Sequence, residues 1–304
     1  MKKDTIIKLA GIIVPFLCLI ILVRFYNNQN ISDDIKAPVI YITWAGIIVI
    51  CLFSGIISRK KKKTRSKNML MEMGKNAIIL SYDENRTGYS KYGGLPDVPD
   101  DFSWPHDDDG APLTLLMQVC CEELAEHDTD KIFPHSGWLY FFYNIEKQEW
   151  NNGSHTAQVL YFDCPKDSQK PSTPPTSLTR ENILDEHPIS MSSQMSYPSR
   201  DDFYELTGMY DTEYPIATKD VEDDEDGDKN GVLATMGGYA EVIQNSMLDG
   251  QGDSRILLMQ MYTVQEKGME ELIFGDMGNI YFYIDKEKLS HHDFSDIYFE
   301  LQCY

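Results

Sequence analysis

Two glutamines close two nearly identical apolar runs, Gln118 after Leu115-Leu116-Met117 and Gln260 after Leu257-Leu258-Met259. A buried amide needs hydrogen-bond partners, so each glutamine either braces main-chain groups inside the core or faces a cleft where a ligand supplies them. A double glycine precedes each run, with Gly93-Gly94 beginning 25 residues before Gln118 and Gly237-Gly238 beginning 23 before Gln260. Glycine pairs give the main chain access to positive φ, suited either to presenting N–H groups to an anion or to turning the chain between elements. The acid Asp276, in Gly275-Asp276-Met277-Gly278, has no twin in the earlier copy, where Ser136 precedes Gly137. Such an aspartate caps nearby N–H groups, or with Lys91 or His135 beside it acts as a general acid or base.

Other constellations carry less. Asp226, Asp228 and Asn230 match the opening of a calcium loop, but its twelfth position falls on Gly237 in place of the bidentate glutamate, so a solvated acidic loop is the favoured reading and calcium the weak alternative. Cys120-Cys121 follows an apolar run, where thiols are buried and inert. His291-His292 has no second pair of ligands at zinc spacing, and phosphate-loop, dinucleotide and nucleophile-elbow motifs are absent from the sequence. No cofactor is expected.

The matched motifs extend further, since Gly137-Trp138-Leu139-Tyr140-Phe141-Phe142 returns as Gly278-Asn279-Ile280-Tyr281-Phe282-Tyr283. This pattern implies an internal duplication, with repeats over about 88–163 and 232–304 forming one domain of two related halves. Aromatic and β-branched runs predict strands over 113–120, 137–145, 158–162, 255–264, 278–284 and 297–302. Helices are predicted over 68–80, after Ser199, and over 285–289. The expected class is α+β, rich in mixed or antiparallel sheet. The Pro- and Lys-rich stretch from 165 and the acidic run at 220–228 read as a connection between the halves, only partly structured.

Charge divides the chain. Residues 1–67 hold 12 Lys+Arg against 3 Asp+Glu, leaving 15 basic against 45 acidic residues in 68–304. A body this acidic gains nothing from counterion release, which excludes nucleic acid as a partner. Two apolar runs of 19 residues, 5–23 and 39–57, precede it. At about 1.5 Å per residue either covers a hydrocarbon layer of roughly 30 Å, so an N-terminal hairpin of two transmembrane helices is expected. Basic residues flank the hairpin outside and are sparse between the spans, which places the N-terminus and the C-terminal domain in the cytoplasm of a multi-pass membrane protein. The run from Arg59 to Lys67 then serves as an anchor against anionic headgroups or as a tract for a specific lipid or partner.

The motifs Lys91-Tyr92-Gly93-Gly94-Leu95-Pro96 with Trp104-Pro105, Leu115 to Gln118, Gly237-Gly238-Tyr239 with Gln244, Leu257 to Gln260, Gly275-Asp276-Met277-Gly278 and the closing Leu301-Gln302-Cys303 resemble the YwqG-like proteins, a bacterial family of unassigned function. The resemblance covers about 68–304 and implies a duplicated α/β domain, with no activity to transfer. Phe274 stands where that family usually has Trp, and Thr235-Met236 where a His-Lys type pair is common.

The expected function is a membrane-anchored cytoplasmic interaction domain for a protein or small ligand, for example a basic toxin met by an immunity or stress protein. The alternative is an enzyme with a cleft between the repeats around Asp276, Gln118 and Gln260. An acidic domain should stand off an anionic leaflet. The expected outcome is that 68–304 alone fails to sediment with vesicles rich in anionic lipid; strong sedimentation at physiological salt would contradict the charge argument.

Overall fold

The computed structural model describes residues 17, 20, 21, 23–27, 32–209, 231–248 and 254–304. The chain forms two compact units, Met1–Asn68 and Met69–Tyr304. Helix α1 (Asp33–Glu72), which lies in the first unit up to Asn68, runs on for 40 residues, about 60 Å at the α-helical rise. Among the described residues one helix, Tyr41–Glu72, is long and apolar enough to cross a membrane, and its most apolar window, of mean hydropathy 2.0, is wholly unburied. The expected span 39–57 lies within α1. The expected span 5–23 falls outside the described residues save at 17, 20, 21 and 23, as do Asp226, Asp228 and Asn230 entirely.

The second unit is built on β1 (Lys75–Tyr82), β2 (Lys91–Tyr92), β3 (Asp97–Val98), β4 (Thr114–Cys120), β5 (Trp138–Tyr143), β6 (Ala157–Phe162), β7 (Lys170–Pro171), β8 (His187–Ser196), β9 (Val232–Gly237), β10 (Arg255–Tyr262), β11 (Asn279–Asp285) and β12 (Tyr298–Gln302). Short helices α2 (Cys121–Ala125), α3 (Arg200–Thr207) and α4 (Lys286–Ser290) follow β4, β8 and β11. Ten strands form one sheet in the order β12-β11-β10-β9-β1-β8-β2-β4-β5-β6. Every described pairing in it is antiparallel. The fold is therefore α+β, with the sheet antiparallel throughout.

The sheet curls until its two ends meet. Leu301 N–H donates to Trp150 O at 2.9 Å beside a bridge between Asn151 and Glu300, and the ring of Tyr161 on β6 lies 5.5 Å from Phe294. Inside this near-barrel a single apolar core gathers Phe141 and Val159 from one end with Phe282 and Phe299 from the other. Phe141 meets Phe282 edge-on at 5.5 Å, and Tyr143 meets Phe299 at 4.8 Å. Such aromatic pairs add about 0.5–1.5 kcal/mol beyond the area they bury.

The outer faces need covers of their own. Val98, Phe102 and Trp104, from the loop after the first glycine pair, lie over Leu115, Trp138, Tyr140 and Phe142. Ala240, Val242 and Met247, from the loop after the second pair, lie over Leu257, Tyr281 and Tyr283.

Two expectations change. Residues 75–80 form the central strand β1, with Ala77, Ile78 and Leu80 buried, and the predicted helix over 68–80 ends at Glu72. Gly74 breaks it, and the β-branched Ile78 and Ile79 favour the pleat. Strand β8 occupies part of the supposed connection, because antiparallel pairing with all eight residues of β1 overrides its serine-rich sequence. By contrast α3 starts and stops where the caps demand, with Ser199 accepting from Asp202 N–H and Gly208 closing in the left-handed region.

The first cover is fastened at its far end by Asp107, whose buried carboxylate accepts from Ala111 N–H (2.8 Å), Asn144 Nδ2 (2.9 Å) and Lys147 Nζ (2.6 Å). Burial pushes this carboxyl up, but the bonds from Lys147, Ala111 and Asn144 outweigh it and hold it below the usual carboxylate range. The stabilisation is thus complete above the unfolded value of about 3.9 and is lost as pH falls through the folded one. Asp107→Asn is expected to lower the melting temperature at pH 7 and to flatten its decline below about pH 4; a wild-type acid slope in the variant would contradict this.

Candidate functional site

The geometry around the two glutamines begins with a strand irregularity. The β4–β5 register shifts between Leu115 and Met117, and the β10–β11 register shifts between Leu257 and Met259. Strict alternation from an outward Leu115 would send Gln118 into the barrel. The extra residue places Leu116 and Met117 both inward and leaves Gln118 on the outer face, as Leu258 and Met259 do for Gln260.

Each glutamine there meets the main chain of its cover. Gln118 Oε1 accepts from Asp97 N–H at 2.8 Å while its Nε2 donates to Tyr89 O at 3.1 Å. Gln260 Oε1 accepts from Glu241 N–H at 2.8 Å, and its Nε2 donates to Glu241 O at 3.2 Å. A tyrosine completes each bracket, Tyr140 Oη donating to Asp97 O at 2.6 Å and Tyr281 Oη to Glu241 O at 2.8 Å. Burial pushes both phenols far above their ordinary range, so they remain donors at any physiological pH. Both glutamines are 1% exposed, which makes every one of these bonds costly to leave unmade.

The glycine pairs turn the chain into those covers. Gly93 and Gly94 have φ of 62° and 70°, and Gly237 and Gly238 have 68° and 67°. A Cβ at Gly93 would lie 2.4 Å from Asp185 O, and one at Gly238 would lie 2.8 Å from Ala77 Cβ. The N–H groups of Gly93 and Gly94 donate to Leu116 O (3.0 Å) and Leu184 O (2.9 Å), so they are not turned to an external anion. Next to the first pair, Lys91 Nζ sits 2.8 Å from both Asp97 and Glu186 with its side chain 12% exposed. Thr235 takes the matching place in the second, with its hydroxyl 3.1 Å from Tyr262 Oη.

Asp276 stands apart. Its exposed turn is held by Gln148, which donates to Ile273 O and accepts from Gly275 N–H, both at 2.9 Å. Met277 carries a φ of 56° there, and Gly278 N–H closes the turn onto Phe274 O at 2.7 Å. Among the described residues no hydrogen bond joins the Asp276 carboxylate to either glutamine, to Lys91 or to His135. Sequence reasoning missed Gln302, 0% exposed, whose Oε1 accepts from Ile243 and Gln244 N–H at 3.0 Å and whose Nε2 donates to Asn245 O at 3.1 Å. The signal was present, a glutamine inside the closing apolar strand.

The described cysteines Cys51, Cys120, Cys121, Cys164 and Cys303 are all free thiols. Burial raises the Cys120 thiol to about 11 and Cys121 further, which leaves both poor nucleophiles. No cluster of metal-ligating side chains occurs among the described residues.

Two clefts lie at the far end of the sheet, on either side of the approach to β12. A cleft of about 430 Å³ is walled by Asp201, Tyr204 and Glu205 of α3, by 245–247, and by Tyr298 and Glu300. A second, of about 390 Å³, runs between β6 with its preceding loop and the segment 292–297. Neither is lined by the glycine pairs, Gln118, Gln260 or Asp276.

A family model for a domain of unknown function, DUF1963, matches residues 90–303. The chain belongs to the DUF1963 family. No curated protein matches it. The DUF1963 match takes in both glycine pairs, Gln118, Gln260 and Gln302, and leaves α1 and β1 outside.

Replacing Gln118 by leucine strands the Asp97 N–H and should cost about 1–3 kcal/mol. Tyr140→Phe should add less in the double variant than alone, since both side chains hold Asp97. Asp276→Asn should stay within about 0.5 kcal/mol. Denaturant midpoints of the full chain in detergent check all three, and a large loss at Asp276 would contradict the geometry.

Proposed function

We propose that this chain is a membrane-anchored interaction domain that binds a basic protein or peptide partner in the cytoplasm. The observation that carries the reading is a pair of surface clefts walled by acids, tyrosines and amides, neither lined by Gln118 or Gln260, whose amides are engaged with the main chain. The excess of 45 acidic over 15 basic residues in 68–304 supports a cationic partner. Asp201 and Glu205 wall the first cleft beside Tyr298, whose ring carries the Arg255 guanidinium at 4.2 Å, the kind of surroundings that cationic side chains prefer.

The apolar Tyr41–Glu72 helix supports the anchor. Joined to an apolar 5–23 segment it makes a two-helix hairpin, and the basic residues from Arg59 to Lys67 set both termini on the cytoplasmic side. We further infer that the domain is a duplicated, YwqG-like fold. The paired order β6-β5-β4-β2-β8 and β12-β11-β10-β9-β1, with matching register shifts and matching glutamine–tyrosine brackets, supports that descent.

The full chain in nonionic detergent should bind Lys/Arg-rich decapeptides in preference to Asp/Glu-rich ones, measured by fluorescence anisotropy. Binding should weaken steadily as salt rises from about 0.05 to 0.5 M. Preference for acidic peptides, or no peptide binding at any salt, would overturn the reading.

A further inference from the structure

Strand β6 ends the sheet, and the direction of its main-chain groups follows from its neighbours. Gly137 O accepts from Cys121 N–H at 2.9 Å, so odd-numbered residues of β5 bond towards β4 and the even-numbered ones bond to Gln158, Leu160 and Phe162. Asn144 N–H to Thr156 O at 2.8 Å continues the same ladder. Ala157, Val159 and Tyr161 therefore point their N–H and C=O groups away from β5, and Ala157 N–H does donate outward, to Asn152 Oδ1 at 2.9 Å.

Beyond Ala157 that edge has no described partner. Among the described residues nothing accepts from or donates to the main chain of Val159 or Tyr161, although Val159 is only 3% exposed. Main-chain groups left over at a strand edge call for a partner, water or another chain. They open into the cleft of about 390 Å³ whose opposite wall is His292, Phe294, Ser295, Asp296 and Ile297. Successive free pairs along an edge recur at about 6.7 Å, which is the repeat of an extended polypeptide.

We propose that the cleft beside β6 receives an extended basic peptide, which adds to the edge as an eleventh strand through the main chain of Val159 and Tyr161. Strand addition of this kind takes its affinity from the main chain and its selectivity from the rim. The cleft is lined by His155, His292 and Asp296, and beyond it stand exposed Asp163 at the end of β6 and exposed Asp293 opposite, so acids outnumber the one lysine, Lys288. Asp293 is held ionised by hydrogen bonds from Ser295, and Lys288 is already engaged with Asp296. A second copy of the chain fits poorly, because it would bring two strongly acidic bodies together. The proposal rests on the interaction reading above and names the class of partner and where it sits.

The test uses the full chain in nonionic detergent with a seven-residue peptide alternating Lys or Arg with Val, and two copies N-methylated on alternate residues in either phase. The parent should slow amide exchange at Val159 and Tyr161 at least tenfold. One N-methylated copy, whichever set of amides faces β6, should bind at least tenfold more weakly at unchanged charge. Ser295→Trp, which fills the cleft, should abolish binding, whereas Glu84→Gln, in the exposed turn after β1 and outside both clefts, should leave the protection at Val159 and Tyr161 intact. If both methylated copies bind like the parent and neither amide is protected, the edge proposal is overturned while the interaction reading stands. If peptides of every charge fail to bind, both fall. Concentration-dependent dimers that protect the same amides without peptide would overturn it in favour of a second copy. Should Ser295→Trp unfold, exchange at Val159 and Tyr161 in the wild-type chain decides alone.

Discussion

The outer half of this domain hangs on one kind of bond, a buried glutamine amide closing on the main chain of a covering loop. A sheet curled around an aromatic core satisfies its own ladder, but its outer face is also apolar, with Trp138, Tyr140 and Phe142 at one end and Tyr281 and Tyr283 at the other. A loop laid over such a face brings N–H and C=O groups out of water, and each must be paired. Gln118 and Gln260 each offer one acceptor and one donor at the point where a cover first touches the sheet. The shift in strand register that turns each amide outward is the local condition for the whole arrangement. The glycine pairs are its second condition, since a side chain at Gly93 would collide with the main chain at Asp185.

Much of this was legible in the chain. The apolar runs predicted six strands that appear within a residue or two, because aromatic and β-branched residues buried on both faces leave little choice of structure. Ser199 marked the start of α3, and the recurring Leu-Leu-Met-Gln pointed to paired buried amides. What was not legible depends on contacts distant in sequence. Strand β1 reads as helix until β8 and β9 are placed on either side of it, and the serines of β8 read as loop until β1 pairs with them. Periodicity reports burial, and a strand whose pairing is specified by its neighbours gives a weak local signal.

The site itself was half legible. The glutamines and glycines were found, but their partners were not, because the buried glutamines' partners lie 19 to 59 residues away on the main chain, where any residue type serves. Gln302 went unread for the same reason, with its partners at 243–245. Asp276 drew attention as the unmatched acid, and it stands in an exposed turn whose neighbours Ile273 and Gly275 are clamped by Gln148.

The most direct measurement of the central claim is amide hydrogen exchange at Asp97 and Glu241 in the full chain. Both lie in covering loops, and each N–H has as its acceptor a glutamine side chain. If the brackets hold the covers, these two amides exchange as slowly as those in the middle of β4 and β10. Exchange at rates typical of an open surface loop would contradict the account.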